Sequence, residues 1–262
     1  MRVAQFTVAA VVAVFLGGLT AWLNHSIPMV AAQSGRTPCQ TTYVTKSYRG
    51  DGTETRSQSS IVAIRADGST VIQHLRTVSV DGSTRVLTRR EIADVALRRD
   101  VTLFPEVQAK ISSQLEDASV MRLQAKPEPG CRGASPDPNL RMILGHDVLK
   151  RETSQEAANG RKIEQREWLA PGVDCLLLRS EAVLKDAASG AVLGRETREA
   201  AQVTVGPPDA ALFEVPAGFA EMSPSEVMAA EAKLMGVACS ACDTAVGQRA
   251  DQRYRQARRP LR

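Results

Sequence analysis

Arg65-Ala66-Asp67-Gly68-Ser69-Thr70-Val71-Ile72-Gln73-His74-Leu75-Arg76-Thr77-Val78-Ser79-Val80-Asp81-Gly82-Ser83-Thr84 sets one β-rich run between two copies of the same turn, Asp-Gly-Ser. Asp and Gly both tolerate positive φ, so Asp-Gly between β-branched runs is a strong hairpin signal. The two turns predict antiparallel strands near Thr53 to Arg65, Thr70 to Val80 and Thr84 to Ile92, inside a meander that runs from Thr41 to about Ala96. The middle strand is about eleven residues, long for a globular sheet, and long strands imply a wide, curved one.

Further along, a second meander extends from about Gly145 to Val205. Its pieces are His146 to Thr153, Lys162 to Ala170, Cys175 to Leu184 and Gly194 to Val205, divided by Ala158-Asn159-Gly160, Pro171-Gly172 and Ser189-Gly190. Connections this short dictate antiparallel pairing. In the last piece Ala201, Val203 and Val205 alternate with Gln202 and Thr204, the pattern of a sheet with one wet face. Between the meanders, Val107, Ile111 and Leu115 recur at every fourth position behind Pro105, which predicts a short amphipathic helix. The flanking Val101-Thr102-Leu103-Phe104 and Val120-Met121-Arg122-Leu123 read as strands. From Lys126 to Pro138, four prolines and two glycines in thirteen residues demand a loop, read as an excursion within one sheet. Ser223-Pro224-Ser225-Glu226 is a capping box with Pro at the first helical position, predicting a helix that runs to about Met235 and stops at Gly236.

The resulting fold class is mainly β: a curved antiparallel sheet or open half-barrel over residues 41–222, a capped C-terminal helix at 223–236 and an N-terminal apolar helix. A chain of 262 residues can bury an ordinary core without staples. Its 43% hydrophobic and 24% charged residues exclude both disorder and full membrane embedding. A net charge of +4 gives no reason to invoke a nucleic-acid partner.

Behind Met1-Arg2, the run from Phe6 to Leu23 carries no charge and reads as an export signal, on the border between a signal-peptide core and a membrane-spanning helix. Val30-Ala31-Ala32 fits peptidase cleavage between Ala32 and Gln33; an uncleaved run would anchor the chain in the membrane with residues 33–262 outside the cytoplasm. The segment 1–32 is therefore a signal peptide or an anchor, and the chain is expected in the periplasm, secreted, or held at the membrane. A lipoprotein would need a Cys directly behind the apolar run, and the first is Cys39.

Five cysteines, Cys39, Cys131, Cys175, Cys239 and Cys242, suit an oxidising compartment, and the odd count leaves one over. Cys239 and Cys242 have the spacing of thiol-disulfide enzymes, but they follow a helix C-terminus, where the dipole disfavours a thiolate. They read as a local disulfide or as separate partners of Cys39 or Cys131. Asp243, standing where haem attachment needs His, closes that option, and the remaining Cys and His residues are too scattered for zinc. No cofactor or metal is assigned. His25, His74 and His146 share no motif with an acid or a nucleophile. No Gly-x-Ser-x-Gly elbow, His-Glu-x-x-His or phosphate loop is present. Glu164 with Glu167, and Glu196 with Glu199, sit among arginines and read as solvated cross-strand pairs. No catalytic residue is assigned, and the chain reads as non-enzymatic. The tail from 237 to 262 holds the Cys pair and ends in six Arg against one Asp after position 248, a solvated end rather than a lipid-binding one.

Glu167-Trp168-Leu169-Ala170-Pro171-Gly172-Val173-Asp174, leading into Cys175-Leu176-Leu177-Leu178-Arg179-Ser180-Glu181, resembles the tryptophan-strand, proline-turn, strand unit of the LolA/LppX/RseB-like periplasmic half-barrel group. Leu212-Phe213-Glu214-Val215-Pro216-Ala217-Gly218-Phe219 is similar to the closing motif of that group. The likeness covers about Gly145 to Phe219, and no functional residues of the group map onto this chain. It implies an open, strongly curved sheet with a helix in its concave face, binding acyl chains, lipoproteins or protein partners. The functional expectation is thus a non-enzymatic exported envelope protein that binds an apolar ligand or a lipid-modified partner in the curved sheet. The alternatives are a membrane-tethered interaction or sensory module, and a redox protein using Cys239 and Cys242.

Overall fold

The computed structural model describes residues 35–80, 83–126, 130–157 and 160–236. The apolar run at 6–23, His25, the Ala32/Gln33 site, the turn at Asp81-Gly82, the Ala158-Asn159 turn, Cys239, Cys242 and the Arg-rich tail lie outside the described residues.

Fourteen strands and two α-helices are described. They are β1 (Cys39–Arg49), β2 (Glu54–Ile64), β3 (Thr70–Val80), β4 (Ser83–Asp94), β5 (Arg99–Phe104), β6 (Ala109–Gln114), α1 (Asp117–Gln124), β7 (Ala134–Pro136), β8 (Met142–Ile143), β9 (His146–Asp147), β10 (Leu149–Ala157), β11 (Arg161–Ala170), β12 (Leu176–Asp186), β13 (Val192–Val205), β14 (Ala220–Glu221) and α2 (Pro224–Met235). Twelve strands form one curved, open sheet in the order β14-β6-β5-β4-β3-β2-β1-β13-β12-β11-β10-β7. Each meander pairs with its sequence neighbours, and the antiparallel β1–β13 seam, with Cys39 opposite Val205 and Arg49 opposite Gly194, welds them into one sheet.

The opening stretch folds as read, since β3 spans Thr70–Val80. In its first turn Gly68 has φ of 89°, and a Cβ there would lie 2.6 Å from the carbonyl oxygen of Leu123 in α1. Gly52 is equally left-handed, at 85°, but faces open space. Gly68→Ala should therefore cost about 1–3 kcal/mol from backbone strain plus displacement of α1. Urea unfolding of Gly68→Ala and Gly52→Ala checks this: equal losses would remove the α1 contact from the account.

Three local expectations are corrected. Val107, Ile111 and Leu115 do not share a helix: residues 105–107 form a 3-10 turn closed by Gln108 at φ 50°, and β6 follows. A spacing of four fits a period of two as well as one of 3.6, so the pattern does not separate helix from strand. Val120 to Leu123 is helical, not extended, within α1, whose first turn carries Asp117 and whose last carries Arg122, the charges that complement a helix dipole. The alternation of Ala201, Val203 and Val205 is broken by a bulge: Thr42 pairs with Gln202 but Tyr43 pairs with Ala200. Ala200 takes the buried side, Ala201 is exposed, and Val205 is 50% exposed. The proline-rich excursion remains in the sheet, although its end forms β7, paired to β10.

The sheet is dry on different sides in different places. Val62 and Ile64 of β2 pack on one side, against the cluster of Cys39, Tyr43, Trp168 and Leu178, which Val148 and Val173 cap. Ile61 and Ala63 pack on the other, with Val71, Ile92, Val101 and Leu103, beneath Leu212, Phe213 and Phe219. A single wet face is thus replaced by two partly covered ones, because successive residues of one strand point to opposite faces and each face is covered only where a cap lies.

Helix α2 begins and ends where its signals place it. Ser223 Oγ accepts from the Glu226 amide, the Glu226 carboxylate accepts from the Ser223 amide at 2.7 Å, and Gly236 closes the helix at φ 70°. Val227 packs on Phe104 and Ala109, and the Leu234 carbonyl accepts from Arg85, so the helix lies along β4 on the Tyr43 side of the sheet. Among the described residues no helix is long and apolar enough to cross a membrane.

Candidate functional site

On the Tyr43 side of the curved sheet, β3, β2, β1 and β13 lie between the part that α2 covers and the part that Val148 and Val173 cover, and this floor between two flanks is the groove considered as a site. The sequences of these strands grade it along its length. β2 reads Glu-Thr-Arg-Ser-Gln-Ser-Ser and then Ile-Val-Ala-Ile, polar first and apolar second. β1 begins Cys-Gln-Thr-Thr-Tyr-Val and ends Lys-Ser-Tyr-Arg, apolar-rich first and more polar second. Antiparallel pairing lays like against like: Cys39 faces Ile64, whereas Ser47 faces both Arg56 and Glu196. At the apolar end Val62 pairs with the half-buried Ile72. At the polar end stand Arg56, Gln58, Thr45, Glu196 and Arg198, with His74 and Arg76 beside them on β3.

Apart from the exposed Arg76, the charged side chains on this face are partly buried, and burial dominates the ionisation of those described below. Arg198 lies over the Tyr43 ring, 4.0 Å from its centroid, while the Tyr43 hydroxyl donates to the Leu177 carbonyl. Burial pushes Tyr43 up to about 12. Burial also lowers Arg198, against the pull of Tyr43 and Glu196. Glu196 is raised by burial, although the Ser47 hydroxyl donates to it at 3.3 Å and Arg56 and Arg198 act in the opposite direction. Arg56 is lowered by burial and by the like charge of Arg76, with Glu196 opposing. His74 is lowered by burial, so its ring is held neutral near pH 7. Glu231 of α2 is raised by burial and by Glu106, with Arg76 and Arg89 opposing. Asp100 of β5 is raised by burial and by Glu91. The result is a groove with an apolar end and a partly desolvated charged end.

The glutamate pairs singled out in the sequence divide between the two faces. Glu164 is held down to about 2 by hydrogen bonds from Lys185 and Lys162. Glu199 pairs with Arg179 at 3.4 Å, and Glu167 pairs with Arg151 at 2.6 Å. These are the cross-strand pairs expected, but Glu164, Glu167 and Glu196 are half-buried rather than solvated, and Glu199 alone of the four is exposed. His146 sits in the two-residue β9, opposite Ile143, away from His74. Cys131 and Cys175 are joined in a disulfide, and Cys39 is buried without a disulfide partner among the described residues. Among the described residues no group of three or more His, Cys, Asp or Glu could hold a metal.

A cleft of about 400 Å³ lies by β7 and β9, lined by Pro136, Asp137, Pro138, Arg141, Asp147 and Val148. Its buried carboxylate is already committed: Asp137 accepts from the Asn139 amide at 2.9 Å and from the Trp168 indole at 2.8 Å. That cleft is therefore a structural joint between the cap and β11.

The residues sequence reasoning missed are Arg56, Arg76, Arg198 and Glu231. Period-two reading places Arg56, Gln58 and Ser60 on one face of β2, but only the register sets Glu196 and Arg198 of β13 across β1 from them.

No protein-family model matches the chain, and no curated protein matches it. Among solved structures it is similar to an outer membrane lipoprotein-sorting protein domain from Vibrio parahaemolyticus, at 9% identity and a TM-score of 0.24 over 67% of this chain and 89% of that one. It is also similar to a DUF1329 family protein from Desulfovibrio piger, at 11% identity and a TM-score of 0.20 over 79% of this chain and 98% of that one.

Proposed function

We propose that this chain is a non-catalytic protein of the bacterial cell envelope that holds a lipid, or the lipid-modified end of a partner, in the groove between α2 and the Val148/Val173 cap. The observation that carries the reading is the polarity gradient along the floor, from Val62 and Ile72 at one end to Arg56 and Arg198 at the other. A purely apolar ligand would leave the charged end unmatched, and a purely polar one would leave the apolar end wet, whereas an acylated molecule meets both. The Cys131–Cys175 disulfide supports an oxidising compartment outside the cytoplasm. Cleavage after Ala32 would free the protein into the periplasm, and retention of residues 6–23 would tether it to the membrane as an interaction module.

Native mass spectrometry with lipid extraction, on protein purified from its own envelope, tests both points. The expected result is an acyl species near one per chain on a polypeptide that begins at Gln33. An empty chain that also fails to bind added monoacyl lipid overturns the carrier reading. A chain still carrying Met1 would assign it to the membrane surface.

A further inference from the structure

We propose that Arg56, Arg76 and Arg198 form a receptor site for an anionic group, carboxylate or phosphate, at the charged end of the groove. The inference rests on the lipid-binding reading for the direction in which the ligand lies, and adds the chemistry of its head.

The first observation is what these arginines lack. On the opposite face Arg166 meets Glu152 at 3.5 Å and Glu181 at 3.8 Å, and Arg179 meets Glu181 at 2.6 Å. Among the described residues Arg56, Arg76 and Arg198 make no such ion pair. Arg56 donates to Gln58 of its own strand, a neutral partner. Arg198 is stacked on Tyr43, and its Nε is buried without a hydrogen-bond partner. A buried donor left unmatched is costly, and an arriving acceptor would satisfy it.

The second observation is the weakness of the local counter-charge. Arg56 and Arg76 repel one another across the β2–β3 pair, and Glu196 is the carboxylate that both Arg56 and Arg198 feel. Burial disfavours its ionised form, and it is engaged by Ser47. Glu231 faces Arg76 from α2, but it shares that neighbourhood with Glu106 and is likewise disfavoured as an anion. Arg89 is already paired with Glu91 at 3.0 Å. An external carboxylate or phosphate would complete this arrangement, because guanidinium groups present forked donors that match both geometries. Arg76 is exposed and marks the mouth, while Arg198 marks the depth of the site.

Titration of the delipidated full-length protein with palmitate, monopalmitoylglycerol phosphate, uncharged monopalmitoylglycerol and inorganic phosphate tests the assignment. The two charged amphiphiles should bind at least about tenfold more tightly than the uncharged one, the value of one charge-assisted hydrogen bond. Arg76→Gln should reduce that preference several-fold, and Arg198→Gln should reduce it further. Should Arg198→Gln fail to fold, Arg76→Gln carries the test, since its side chain is solvent-exposed. Equal affinity for charged and uncharged amphiphiles, unmoved by Arg76→Gln, overturns the site while leaving the lipid-binding reading standing. Arg76-dependent binding of inorganic phosphate with no binding of any amphiphile supports the site, assigns its ligand to a free anion and overturns the lipid-binding reading. No binding by any of the four overturns both.

Discussion

Replacing Cys131 and Cys175 together by alanine should lower the free energy of unfolding by about 4 kcal/mol. The cysteines lie 44 residues apart, and a cross-link over a loop of that length removes much of the unfolded chain's freedom. Its position increases the effect, because it ties the Gly130–Gly133 turn to the connection between β11 and β12. The segment between them carries Val148 and Ile143, which cap the Tyr43 cluster. Both cysteines adopt left-handed backbone, φ 54° at Cys131 and 57° at Cys175. Alanine would be asked to hold the same conformations, so the measured loss reports the link more than the turn. Urea unfolding of the double variant, beside wild type with and without reductant, measures the change. A midpoint shift worth less than about 1 kcal/mol would show that capping contacts hold the segment without the covalent bond.

Leu178→Ala should cost about 2–5 kcal/mol, the range for emptying a well-packed leucine site. Leu178 is wholly buried in the cluster of Cys39, Tyr43, Trp168 and Ala200. It occupies a bulge, where Trp168 pairs with Arg179 and Leu169 with Leu177, so two residues of β12 oppose one step of β11. Two rigid neighbours limit collapse into the hole: the Tyr43 hydroxyl is bound to the Leu177 carbonyl, and the Trp168 indole to Asp137. The cavity term should therefore lie toward the upper end of that range. Met121→Ala, at a side chain 51% exposed on α1, provides the contrast and should fall within about 0.5 kcal/mol of wild type. Comparable losses for the two variants would overturn the placement of the principal core at the β1–β13 seam.

The buried carboxyls on the Tyr43 side of the sheet bear on stability. Glu196 and Glu231, and Asp100 in the row of Ile64 and Thr70, have carboxyls raised by burial, so their ionised forms oppose the fold. The ion pairs on the far side, such as Lys185 with Glu164, carry no such penalty and suit a solvated surface.

Local chemistry alone determined much of this protein. Asp67-Gly68-Ser69 turns the chain because Gly68 can take positive φ, Thr70–Val80 is extended because the run is rich in β-branched residues, and Ser223 with Glu226 starts α2 because the two side chains satisfy each other's amides. Each of these signals is complete within a few residues. The tertiary structure decided everything that depended on a partner distant in sequence. Whether Ile111 belongs to a helix or a strand turned on its pairing with Thr102. Which side of β13 is dry turned on a bulge opposite Thr42 and Tyr43, and which cysteines join turned on the approach of the proline-rich loop to the end of β11. The groove belongs to the same class. β1 and β2 each carry their polarity gradient in sequence, but only the register of β1 with β13 brings Glu196 and Arg198 across from Arg56, because strand pairing joins residues that are some 140 positions apart, as Ser47 and Glu196 are at a separation of 149.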